Sequence, residues 1–247
     1  YEMTSSLVGS EMCIRDSGSI SATVFVEETY DMVNNELIIT DSRLLSKDEV
    51  MAIGVDNFAP LSEVPMPRAA TITRGRLTIT FSGVYNTSNG VSCNLTGTAH
   101  WDDSGLHTEG ENYCATGEDF IGVTWSGSFT AKSHSISGKN QLGGALTIYN
   151  SDSTPNAGRV WSFKDSNPTS KYTLYAKDIN LNVNISKNTL TGNGNTAEAV
   201  LKYIHTYSKV KGSISITPGS ETVAGSFSLS NPDRQWSLVC TVTNIPY

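Results

Sequence analysis

Residues with the types and spacing for chemistry crowd into one stretch, His100-Trp101-Asp102-Asp103-Ser104-Gly105-Leu106-His107-Thr108-Glu109-Gly110-Glu111. Asp102, Asp103, Glu109 and Glu111 put several carboxylates on one loop, and clustered hard oxygens are what a calcium ion takes. The spacing matches no defined calcium loop, so a solvated acidic loop is the plainer expectation. Glu109 and Glu111 would share a face if extended, as a glycosidase carboxylate pair must, but they flank a glycine in a loop. Trp101 and Tyr113 lie near strand ends or loops, where rings can stack on a sugar; packing at the rim of a β core is the simpler role.

Other chemistries find less support. There is no G-x-S-x-G elbow for a nucleophilic serine. His134 and His205 read as ordinary strand and helix positions. Gly192, Gly194 and Ala197 fit G-x-G-x-x-A, but the preceding strand is not a fully buried run and no second βα unit follows, so a turn and helix cap is the better reading. We assign no catalytic residue and no organic cofactor; calcium is the one ion the pattern admits, since no close Cys/His spacing suits zinc.

The elements that would position these groups are strands. Ile20, Ala22, Val24 and Val26 alternate with polar residues, as do Leu77, Ile79 and Phe81, then Ile121, Val123 and Trp125, then Leu181, Val183 and Ile185. Period-two alternation predicts antiparallel strands with one face buried. Asn89-Gly90 is a strong hairpin signal. Ser46 with Glu49 forms a capping-box pattern before a short helix or turn. Asn195 with Glu198 forms another, followed by Val200, Tyr203, Ile204 and Tyr207 on one helical face, which predicts a short helix over residues 196–207. Beyond it, Ile214 and Ile216, the Pro218-Gly219 turn, then Phe227, Leu229 and the run from Trp236 to Val242 predict a hairpin meander. About a dozen strands at short intervals predict an all-β chain, an antiparallel sandwich or a barrel.

The run Ser6-Leu7-Val8-Gly9-Ser10-Glu11-Met12-Cys13-Ile14-Arg15-Asp16-Ser17 resembles translated sequencing-adapter read-through of the kind met at the ends of metagenome-derived reading frames. The resemblance implies that residues 1–17 are not evolved protein and that the native start, with any signal peptide, lies elsewhere. Residues 18–247 are then expected to form a single β domain, with a proline-rich connector at 59–68 as a possible internal boundary.

Of the remaining cysteines, Cys93 and Cys240 fall on the apolar phase of their strands and Cys114 lies in the polar loop. A Cys93–Cys114 disulfide would close a loop of about twenty residues and stabilise by roughly 3 kcal/mol in an oxidising compartment. The net charge is −7 and only 17% of residues are charged. With no basic cluster, nucleic acid is not an expected partner, and no apolar run is long enough for a spanning helix. A weakly charged surface rich in Ser, Thr, Asn and Gly suits an extracytoplasmic protein, whether secreted, periplasmic or at the cell surface. The first expectation is therefore a non-catalytic secreted, surface or lipid-anchored β domain that binds or builds something: glycan, lipid or another envelope protein. A barrel holding a lipophilic molecule and a carbohydrate-binding or carbohydrate-active domain are the alternatives.

Overall fold

The computed structural model describes residues 14–16, 19–33, 36–54, 71–85, 92–102, 118–168, 173–188, 196–207, 212–230 and 234–246. Its strands are β1 (Ile14–Asp16), β2 (Ser19–Val33), β3 (Glu36–Leu44), β4 (Thr71–Tyr85), β5 (Ser92–Trp101), β6 (Glu118–Trp125), β7 (Phe129–Asn140), β8 (Ile148–Thr154), β9 (Gly158–Lys164), β10 (Ser166–Pro168), β11 (Thr173–Lys187), β12 (Thr196–Thr206), β13 (Ile214–Thr217), β14 (Ser226–Leu229) and β15 (Gln235–Pro246). The one described helix is α1 (Lys47–Ile53), and it carries the expected capping box: the Glu49 N–H donates to Ser46 Oγ and the Ser46 N–H to Glu49 Oε2.

Two antiparallel sheets face each other. The larger runs β1-β2-β4-β5-β11-β10, with β3 also on β2 and β7 also on β11; the smaller runs β15-β12-β6-β9-β8. Among the described residues neither closes on itself, so they form a sandwich and not a barrel. The alternation read from the sequence is what fills the space between the sheets. Ala22, Val24, Val26, Leu77, Ile79, Phe81, Leu95, Leu181, Val183 and Ile185 of the large sheet meet Ile121, Val123, Trp125, Leu201, Tyr203, Leu238 and Val242 of the small one. Burying such side chains contributes about 1.5–3 kcal/mol each.

The hairpin β13–β14 belongs to neither sheet. It lies on the outer face of the small sheet, where Phe227 and Leu229 pack against Phe120, Val160 and Ile204. Gly122 makes this approach possible: a Cβ there would sit 2.8 Å from Phe227, from Val160 and from the Arg159 carbonyl. β6 is consequently buried on both faces.

Two sequence expectations fail here. Residues 196–207 are not a helix but strand β12, paired antiparallel with both β6 and β15. Ala197, Ala199, Leu201, Tyr203 and His205 point into the sandwich, while Ile204 points under the covering hairpin. Apolar residues on both faces of a strand imitate a helical stripe. The meander fails as well, because β15 pairs with β12 and not with β14. The connector at 59–68 lies outside the described residues. Among those described, no helix is long and apolar enough to cross a membrane.

Candidate functional site

At one end of the core the inward phases of several strands continue into polar residues. β2 carries Ala22, Val24 and Val26 inward and then Glu28; β6 carries Asp119 in phase with Ile121 and Val123; β12 carries His205 after Leu201 and Tyr203; Asp165 follows Phe163 just past β9. All four are closed to solvent: Glu28 is 1% exposed, Asp119 0%, Asp165 2% and His205 2%.

His205 is the hub. Its Nε2 is 2.9 Å from Glu28 Oε1 and its Nδ1 is 3.1 Å from Asp119 Oδ2, with Asp165 Oδ2 at 3.7 Å. Both ring nitrogens thus face carboxylates, the arrangement that suits a doubly protonated imidazolium. Burial by itself would lower the affinity of His205 for its proton; Asp119 and then Glu28 outweigh it and hold the imidazole well above its usual pKa. Asp119 is anchored further. Its Oδ1 accepts from the Thr206 N–H at 3.0 Å, and its Oδ2 accepts from the Tyr203 hydroxyl. Burial, and then the adjacent Asp119 charge, push the Tyr203 phenol well above its ordinary value.

Aromatic rings wall the cluster. Trp101 Nε1 donates to Tyr203 Oη at 3.2 Å, Trp236 Nε1 donates to Ser42 Oγ at 3.0 Å, and the Trp236 ring centroid lies 4.9 Å from that of His205. An imidazolium beside an indole adds cation–π attraction to the ion pairs. Asp119, Asp165 and His205 place their donor atoms within 4.8 Å of one another, close enough for one metal ion. A cation there would have to replace the Nδ1 hydrogen bond to Asp119. As arranged, the groups form an ion network that ties β2 of one sheet to β6 and β12 of the other.

Of the residues singled out from sequence, Trp101 borders this cluster, while Asp102 lies apart from it. Asp102 forms an ion pair with Arg76 and is 3.4 Å from His100, whose Nδ1 is 2.6 Å from Asp178. Asp103, Glu109, Glu111, Tyr113 and Cys114 lie outside the described residues. Trp101 is not a stacking platform: it ends β5 on the inward phase and is 2% exposed. Cys93, expected to pair with Cys114, is a buried free thiol, pushed up to about 12 by burial. Sequence reasoning passed over Glu28, Asp119, Asp165 and His205. The available signal was a charged residue falling on the apolar phase of each strand.

No protein-family model matches this chain, and no curated protein matches it. Among solved structures it is similar to the T6 backbone pilin of serotype M6 Streptococcus pyogenes, described as a modular three-domain structure, at 10% identity over 92% of this chain and 64% of that one. The chain therefore spans less than two thirds of that protein's length. The TM-score is 0.28, too low for the likeness to carry any argument.

Proposed function

We propose that this chain is a non-catalytic β domain of an extracytoplasmic protein, with a structural or binding role. The observation that carries the reading is the sealing of Glu28, Asp119, Asp165 and His205. These four groups are at most 2% exposed and are bonded into one network across the two sheets. A general acid or base must come within hydrogen-bond reach of substrate, and these have no solvent-facing side. The core phase favours the same reading over a ligand-holding barrel, since Trp125, Phe129, Phe163 and Tyr203 occupy the interior. A weakly charged surface rich in hydroxyls and amides supports the location.

Two measurements test it. Re-reading the DNA upstream of Gly18 is expected to reveal an export signal; a start codon immediately before Gly18 without one would overturn the location. The purified domain is expected to leave chromogenic glycosides and esters unchanged. Turnover that disappears in Asp119→Asn, in a variant that still folds, would overturn the non-catalytic role.

A further inference from the structure

The two sheets meet along one flank, where edge strand β7 of the large sheet runs beside edge strand β8 of the small one. Backbone bonds close this seam at both ends: the Leu146 N–H donates to the Gly138 carbonyl at 3.0 Å, and the Ala131 N–H to the Pro155 carbonyl at 2.9 Å. Between them lies a side-chain window. Register decides which residues face it. Arg159 of β9 shares the inward phase with Trp161, Asn150 of β8 pairs with Trp161, and His134 of β7 sits opposite the inward Val183. The His134 and Trp161 rings lie 6.0 Å apart.

Arg159 Nη1 donates to His134 Nε2 at 2.8 Å and to Asn150 Oδ1 at 3.2 Å. Neither is an anion. Elsewhere Arg43 is set against Glu27 and Glu49, Arg74 against Glu27, and Arg76 against Asp102. The acid of β8, Asp152, pairs with Val160 and so faces the other side of the sheet, where it accepts from the Ile216 N–H at 3.2 Å. Among the described residues, Arg159 is thus a half-buried guanidinium held by neutral acceptors alone, in a chain of net charge −7. Burial lowers it from its ordinary value, and burial followed by the Arg159 charge lowers His134, which therefore accepts as a neutral imidazole. His134 and Asn150 are exposed, so the guanidinium is open to an anion from solvent.

We propose that the window formed by Arg159, His134 and Asn150 binds the carboxylate group of a small acidic ligand. The guanidinium keeps Nε and Nη2 for a planar two-oxygen acceptor, the geometry at which arginine surpasses lysine. Asn150 Nδ2 supplies a third donor. Ser153, exposed and in register with Arg159, offers a hydroxyl to the rest of the ligand. The site goes beyond the reading above and stands whether or not the domain is exported.

The test is a titration of the isotope-labelled domain followed at the His134 ring by NMR, with sodium glucuronate and sodium acetate as probes and glucose and sodium chloride as controls. A saturable shift with a carboxylate and none with the controls is expected. Binding should also raise the His134 pKa, since an added anion would offset the Arg159 charge that faces the ring. Tighter binding of glucuronate than acetate would assign the source to an acidic sugar; equal binding would assign it to simple carboxylates. Arg159→Lys keeps the charge but loses the fork and should weaken binding about tenfold, with the thermal melt showing that the fold persists. No saturable shift, an equal shift with chloride, or binding unaltered in Arg159→Lys would overturn the site.

Discussion

Glu28 and His205 stand 177 positions apart in the chain and 2.9 Å apart in space, Oε1 to Nε2. One belongs to the large sheet and the other to the small sheet, so this contact exists only when the two sheets have docked. With Asp119 on the opposite ring nitrogen, His205 acts as a charged pin through the end of the sandwich.

Removing the pin takes away the charge that its two carboxylate partners share. His205→Gln leaves Glu28 and Asp119 buried without their shared cation, and breaking a buried ionic pair from one side costs about 3–5 kcal/mol. Urea unfolding of the two proteins at pH 7 measures it. A loss under about 1 kcal/mol would mean that the network is dispensable.

The same groups set the response to alkali. The folded-state pKa of His205 is raised, so its contribution is complete below the unfolded value of about 6.5 and is lost as pH rises through the folded value. Tyr203 is raised as well; the unfolded chain ionises its phenol near pH 10 while the fold resists, which removes stability above about pH 10. The melting temperature should therefore fall from neutral toward alkaline pH, and less steeply in His205→Gln. Equal slopes in the two proteins would contradict the assignment.

Gly122 sets how closely the β13–β14 hairpin can lie. Gly122→Val places side-chain atoms where Phe227, Val160 and the Arg159 carbonyl already are. Overpacking of this kind costs about 1–3 kcal/mol. Hydrogen exchange should show the hairpin amides losing protection before those of β12; uniform protection would show that the small sheet adjusts without shedding its cover.

Just past β3, Ser46 caps α1. Ser46→Ala should lower stability by about 1 kcal/mol. Glu49, lowered to about 2 first by its bond from the Ser46 backbone and then by Arg43, contributes above the unfolded carboxylate range. That contribution is lost as pH falls through about 2. A Ser46→Ala variant whose acid unfolding midpoint matches the parent would argue against the cap.

Cys93 is buried and burial pushes its thiol up to about 12, so almost no thiolate exists at pH 8. Iodoacetamide followed by peptide mapping should leave Cys93 unmodified in the native protein and label it once unfolded. A Cys93–Cys114 peptide pair under non-reducing conditions would instead establish the disulfide.

Alternation by itself determined most of the architecture. Ile20 to Val26, Leu77 to Phe81, Ile121 to Trp125 and Leu181 to Ile185 announce half-buried strands because side chains on a strand change face at every residue. Ser46 and Glu49 announce their helix because a capping box is local. β12 was not legible in this way, since Ile204 is apolar only because β13–β14 covers it, and no local rule records a cover supplied from residues 214–229. The ion network was hidden for a related reason. Glu28, Asp119, Asp165 and His205 each look like an ordinary polar residue near the end of a strand. What makes them a unit is the pairing order β15-β12-β6-β9-β8 laid over β2, and strand order is fixed by long-range packing, which the period of any single strand does not encode.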